Sequence, residues 1–410
     1  MINRTSKLKK SVAFTLVIVF LIPIFIWKTE HTVGLLGFAG ILAGIVFVSL
    51  ATLTLLKSKI GITKSQYTNA ILLICSVVFV LTIAELGLRF LRNDLRSYGE
   101  RNGNSYYSSC YHLYLQTCES CTPKKQYYTH SPNSQSVFTE SGTSYEHKFN
   151  TMGLRDDDPI LAKDSNEYRI IGVGDSFTEG VGTDADSTWL KQLADILNHT
   201  STTTHYTTLN AGVQGNDVIF SYQLFKDRLL RYEPDLVILN LNSTDINDII
   251  FRGGIDRFDE NGVYQQKNGP QWEYLFGASY LVRLVSLNLL NYNWQLLNLE
   301  EQHLAEQLAI KDIGKTINQF QSLAKANNFS FLLITHPLEH EINNIRQYKH
   351  LSYNPSIKHI ELETTFDSIY KTEPTPIYYW PIDGHFTTKG YHVLAQEIYS
   401  QYFKNHLTNE

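Results

Sequence analysis

Three apolar runs fill the first quarter of this 410-residue chain: Val12 to Trp27, Val33 to Leu56 and Thr68 to Leu88. A bilayer core takes about 20 apolar residues per crossing helix. The second and third runs reach that length, and the first falls short of it. A cleaved signal sequence is the competing reading of the first run. Two features oppose it: no small-x-small cleavage signature lies near Trp27, and another apolar run follows almost at once. Residues 1–91 are therefore expected to be a membrane anchor of three transmembrane helices.

Flanking charge sets the expected orientation. Arg4, Lys7, Lys9 and Lys10 precede the first run, and Lys57, Lys59 and Lys64 separate the second from the third. The turn between the first two holds only Lys28 against Glu30. Both basic segments belong on the cytoplasmic side, which puts everything beyond residue 90 outside. The expectation is a multi-pass protein of the cytoplasmic (inner) membrane with an extracytoplasmic soluble part. Arg89, Arg92 and Arg96 run against this bias. Glu85 and Arg89, four apart on a helix, can pair near the interface.

The formal charge of -5 comes from mixed signs with no basic stripe. That excludes nucleic acid as an expected partner. Cys75 lies within an apolar run and reads as packing. Cys110, Cys118 and Cys121 cluster without His or Asp at metal-ligand spacing, so neither a metal site nor a cofactor is expected. They form either one disulfide with a spare thiol or three free thiols.

Residues 92–145 are polar, with Tyr and Ser prominent, and read as an extracytoplasmic linker of loops or short strands. From Tyr168 the pattern changes. Tyr168 to Gly174, Tyr206 to Val213, Asp235 to Leu241 and Phe329 to Thr335 read as strands. Helical spacing appears in Trp189 to Leu197, Val218 to Arg231, residues 301–327 and Thr388 to Phe403. Strands alternating with helices argue for a parallel sheet inside an α/β sandwich. The catalytic domain is expected over residues 146–405, with an insertion at 249–300 folded over the sheet edge.

In such sheets reactive groups collect where strands end. Gly174-Asp175-Ser176-Phe177-Thr178-Glu179-Gly180 follows the first strand. A serine on a tight turn can project its hydroxyl from the rim, and its N–H can help bind an oxyanion. Asp175 is read as fixing that turn. Asn210-Ala211-Gly212-Val213-Gln214-Gly215 ends the second strand, where Gly212 can offer another N–H. Asn242-Ser243-Thr244-Asp245 follows the third strand with amide and hydroxyl donors. Asp383-Gly384-His385 precedes the last helix, and its carboxylate can turn back to orient the imidazole. Each cluster alone is also ordinary turn chemistry; four at successive element ends is a pattern. His336, after the fourth strand, either touches substrate or is a solvated loop histidine. Tyr378, Tyr379 and Trp380 either shape the pocket or pack beneath the final loop.

This order of clusters resembles the GDSL/SGNH hydrolase superfamily, over about residues 145–403. Asn150-Thr151-Met152-Gly153-Leu154-Arg155 is similar to the N-x-x-G-x-R stretch of its membrane-anchored members, and Glu85-Leu86-Gly87-Leu88-Arg89, at the end of the third apolar run, also resembles that subgroup. The resemblance implies a flavodoxin-like three-layer α/β/α sandwich and ester chemistry. It implies Ser176 as nucleophile, His385 as base and Asp383 as the residue that orients it. The implied oxyanion donors are Ser176, Gly212 and Thr244. Thr244 stands where the family's third block has Asn, and Asn242 or Asn247 is the substitute. Asp383 lies two residues before His385 rather than three, as in some glycan O-acetyltransferases.

The resulting expectation is a serine ester hydrolase or O-acyltransferase acting on an acylated small molecule, lipid or glycan. A transferase would draw acyl groups from a multi-spanning exporting partner. The competing expectation is a catalytically inactive module of the same fold that binds a glycan within an assembly.

Overall fold

The structure is a computed structural model that describes residues 35–95, 127, 129–138, 144–259, 265, 270, 272–342, 351–373, 377–381 and 383–404. Two long helices come first, α1 (Leu35–Ile60) and α2 (Lys64–Leu91), then a hairpin of β1 (Gln135–Phe138) and β2 (Tyr145–Lys148). Strands and helices alternate through β3 (Glu167–Gly174), α3 (Ser176–Glu179), α4 (Trp189–Thr200), β4 (His205–Gly212) and α5 (Val218–Leu224). β5 (Leu236–Leu241) and α6 (Thr244–Arg252) follow. A helical pair, α7 (Glu273–Ala278) and α8 (Tyr280–Asn288), precedes the long α9 (Leu299–Asn327). β6 (Ser330–Thr335), β7 (Lys358–Glu361), α10 (Glu363–Ile369) and α11 (Thr388–Ile398) close the order.

The chain divides into two compact units, one of residues 1–113 with 268–303, the other of residues 114–267 with 304–410. In the first, Gly37–Ile60 and Lys64–Leu91 are long and apolar enough to cross a membrane. The first apolar run lies outside the described residues, as do Cys110, Cys118 and Cys121. Thr63 opens α2 with a capping box, its hydroxyl accepting from Gln66 N–H while the Gln66 side chain accepts from Thr63 N–H. Cys75 is exposed on α2 rather than packed. The insertion departs from expectation too. Its α7 packs on α1 and its α8 on α2, so this part belongs with the apolar helices rather than with the sheet.

The second unit is built on a five-stranded parallel sheet in the order β4-β3-β5-β6-β7. All six residues of β5 are buried, because helices cover both faces. Ile170, Leu236, Ile238, Leu332 and Ile334 join Trp189, Leu190, Leu193 and Leu197 of α4 and Tyr391 and Leu394 of α11 in one core. On the opposite parity, Phe331 stacks on Phe320 of α9, and Phe320 meets Phe225. This is the expected flavodoxin-like three-layer sandwich. Chain order reverses on either side of β3 and β5, and their following loops diverge to leave a crevice at the carboxyl ends.

Candidate active site

The tight turn after β3 places Ser176 at the first position of α3, on the rim of the sheet. Asp175 is its N-cap: Oδ1 accepts from Phe177 N–H at 2.9 Å, and Oδ2 accepts from the Asn242 amide at 2.7 Å. Burial pushes the Asp175 carboxyl upward, against those hydrogen bonds. The carbonyl of Asp175 takes the N–H groups of Thr178 and Glu179. Ser176 N–H is left as the one donor of this first turn without an acceptor among the described residues.

His385 reaches across from the loop before α11, its Nε2 2.8 Å from Ser176 Oγ. Its Nδ1 lies 3.5 Å from Asp383 Oδ2, longer than a hydrogen bond, while Asp383 Oδ1 accepts from His385 N–H at 3.1 Å. The ring rests against Phe177, centroids 4.9 Å apart. The three residues named from sequence thus converge from positions 209 residues apart. They open on a cavity of about 400 Å³ whose walls include Gln214, Gly215, Thr244 and Asp248.

The profile of the GDSL-like Lipase/Acylhydrolase family matches residues 173–393, more than half of the chain. The chain belongs to that family. The class of activity that goes with it is the hydrolysis of esters. Among solved structures, an acetylxylan esterase from Geobacillus stearothermophilus is 13% identical, with a TM-score of 0.37 over 57% of this chain and 93% of that one. A second acetyl xylan esterase is 15% identical, with a TM-score of 0.35 over 57% of this chain and 100% of that one. A two-domain esterase active on acetylated mannans is 13% identical with a TM-score of 0.36; 60% of this chain matches 50% of its length. At such scores these likenesses add nothing to the family assignment. No curated protein matches the chain.

Within this GDSL-family site, one expected donor, Gly212, and both expected substitutes at the third position, Asn242 and Asn247, are not available to a substrate. Gly212 N–H is given to Asn210 Oδ1 at 3.0 Å. A Cβ on Gly212 would stand 2.1 Å from Glu179 N, so this glycine serves close packing against α3. Gly215, three residues on, lines the cavity at φ +73°, and its N–H has no acceptor among the described residues. Asn242 is fully buried with its amide committed to Asp175. Asn247 is exposed and off the cavity wall. Thr244 does line the cavity, though its hydroxyl now donates to Asn242 Oδ1 at 2.7 Å.

His336 is neither in the cavity nor solvated. It is buried against Phe177 and Phe386, and burial pushes its imidazole down to about 4. Tyr378 and Tyr379 are buried in the core, and Trp380 Nε1 donates to Gly182 O. All three pack rather than shape the cavity.

Sequence reading missed Glu179, three residues after Ser176 and fully buried. Its Oε2 accepts from His130 Nε2 at 2.8 Å and from Gln214 N–H at 2.5 Å, and its Oε1 lies 3.2 Å from His147 Nδ1. Burial alone would raise this carboxyl, but His130 and His147 hold it well below the usual range. Beside it Arg155 donates to the carbonyls of Gly180 and Thr183 at 2.5 and 2.7 Å. Arg155 therefore clamps the backbone that follows the serine turn. The cavity wall is braced from the other side by Asp217, which receives both Arg257 nitrogens at 2.7 Å and Arg252 at 2.8 Å. Arg252 also donates to Gly215 O.

Proposed function

We propose that the protein is a membrane-anchored serine esterase whose site faces the extracytoplasmic side and that works through an acyl-enzyme on an acylated glycan or lipid. The observation that carries the chemistry is the 2.8 Å contact of His385 Nε2 with Ser176 Oγ on an open cavity. In this reading His385 takes the hydroxyl proton as Ser176 attacks the ester carbonyl. Asp383 orients the imidazole, and its 3.5 Å approach shortens once the ring is charged. The oxyanion is held by the N–H groups of Ser176 and Gly215, with the Thr244 hydroxyl turning as the third donor. His385 then returns the proton to the departing alkoxide, and the acyl group stays on Ser176.

Water resolving that intermediate gives a hydrolase; a sugar hydroxyl gives an O-acyltransferase. The transferase version would take its acyl groups from a multi-spanning partner. The anchor reading is supported by the two helices of spanning length and composition. The basic segments at Arg4 to Lys10 and Lys57 to Lys64 support the outward orientation.

The test is a fluorophosphonate probe on the full chain in detergent. Ser176 is expected to label, and labelling is expected to vanish in His385→Ala. Folded protein that leaves Ser176 unlabelled would point instead to an inactive glycan-binding module.

A further inference from the structure

Glu85 and Arg89 take no part in this chemistry, yet Glu85 is completely buried. Its Oε1 accepts from Tyr280 N–H at 2.9 Å and from Arg89 Nε at 2.8 Å. Its Oε2 accepts from Ser279 Oγ at 2.8 Å and from Leu281 N–H at 3.0 Å. Tyr280 and Leu281 open the nine-residue α8, so the carboxylate sits on N–H groups that have no partner inside the helix. Arg89 also donates to Ala278 O at 2.8 Å and lies 4.7 Å over the Tyr280 ring. Arg283, buried as well, gives its guanidinium to the carbonyls of Phe276, Gly277 and Leu95. A buried charge is tolerated only when it is paired and hydrogen-bonded. These two clusters therefore fasten α7 and α8 to the end of α2.

The same segment turns apolar side chains outward. Leu275, Leu289 and Leu290 are 44%, 72% and 57% exposed. In the same segment the half-buried Trp272, Tyr292 and Trp294 pack edge to face, Trp272 on Tyr292 at 5.1 Å and Trp294 on the buried Phe276 at 5.7 Å. On α2, Phe79, Phe90 and Leu91 are likewise exposed. Because α7 packs on α1 and α8 on α2, the segment that carries these leucines lies against the two apolar helices. Aromatic residues flanking exposed leucines at the end of a spanning helix match the chemistry of the bilayer interface.

We propose that residues 272–294 are a membrane-interface element: lipid covers Leu275, Leu289 and Leu290, and the Glu85–Arg89 pair latches the segment there. The proposal rests on reading α1 and α2 as spanning helices. It explains why a carboxylate stands near the end of an otherwise apolar helix, and why an insertion leaves the sheet to meet it.

Benzoylphenylalanine photo-crosslinking of the full chain in phospholipid nanodiscs separates the two claims. The photoreactive residue is placed at Phe79 in one variant and at Leu290 in another, and adducts are identified by mass. Lipid adducts are expected at both positions, with yields within about threefold of each other. A lipid adduct at position 79 with none at 290 would overturn the interface element, as would an adduct at 290 to a second copy of the chain. Silence at position 79 would overturn the spanning reading itself. Adding Glu85→Ala is expected to cut the yield at 290 by about tenfold and leave that at 79 unchanged. An unchanged yield at 290 would overturn the latch.

Discussion

The two halves of the reactive pair are held in different ways. The serine turn is tied to distant parts of the unit: Asp175 to Asn242, Glu179 to His130 and Gln214, and Arg155 to the carbonyls of Gly180 and Thr183. The carboxylates of Asp175 and Glu179 are buried within that network. The histidine rides on a local turn. Trp380 N–H donates to His385 O, Gly384 N–H to Trp380 O, and His385 N–H to Asp383 Oδ1, all within six residues. Its side chain is 18% exposed and that of Asp383 14%, against none for Glu179. Ser176 is thus held by hydrogen bonds that reach across the unit, whereas His385 and Asp383 sit on a local turn whose own polar bonds are short-range, beside the buried Tyr379 and Phe386. Damage to the first should appear in stability, and damage to the second in rate alone.

The largest effect should follow from the loop. His385→Ala is expected to lower kcat by about 10⁴–10⁶-fold, because the serine then lacks its base. Asp383→Asn should cost less, about 10²–10⁴-fold, since it removes orientation and charge support rather than the base. Neither should lower the thermal unfolding temperature of the full chain, read by scanning fluorimetry alongside ester hydrolysis. A clear loss of stability in Asp383→Asn would break the contrast.

Glu179→Gln probes the other side. It leaves the half-buried His130 and the buried His147 beside an amide and weakens the bond from Gln214 N–H. A loss of about 2–4 kcal/mol is expected at neutral pH, from the range for breaking buried charged hydrogen bonds. The sign with pH is fixed by the depressed carboxyl. Its stabilisation is present above the unfolded value of about 4.3 and drains away as pH falls below it. The wild-type stability curve should therefore steepen below that pH and the variant's flatten. Unchanged unfolding in Glu179→Gln would show that the serine turn needs no buried anion.

Much of this was legible in the sequence, for physical reasons. The strands β3, β5 and β6 were readable because burial on both faces makes their runs nearly continuous in apolar residues. β7 was missed: Lys358 to Glu361 is a four-residue edge strand with exposed ends. Ser176 was legible because it follows a strand end, where the sheet rule looks for reactive groups, and the Asp383-Gly384-His385 turn that the structure brings to it was legible as a local Asp–His spacing. Gly212 was chosen over Gly215, although both glycines were in view. One meets the crowding beneath α3, the other the positive φ of the cavity loop, and sequence spacing does not separate these causes. The cluster around Glu179 was invisible because His130, 49 residues away, reaches it only through the tertiary fold. The insertion misled in the same way, since its anchors are Glu85 and Arg89, nearly two hundred residues earlier in the chain.

The smallest expected effect concerns Asp248, where the braced wall meets the cavity. It lies 3.7 Å from Arg252 Nη1, a guanidinium already committed to Asp217 and Gly215 O. Burial, helped by Asp217 and Asp175, outweighs Arg252 and pushes the Asp248 carboxyl up to about 7. Because this lies above the unfolded value of about 3.9, the group favours the folded state less and less as pH rises between the two. The same ionisation puts a negative charge on the cavity wall near neutral pH. For an ester that carries its own carboxylate, kcat/KM should fall about twofold to fivefold, relative to a neutral ester, as pH rises through 7. Asp248→Asn should abolish that difference. A ratio of the two substrates that ignores pH in the wild type would mean that the wall around Gly215 keeps its charge out of the substrate's reach.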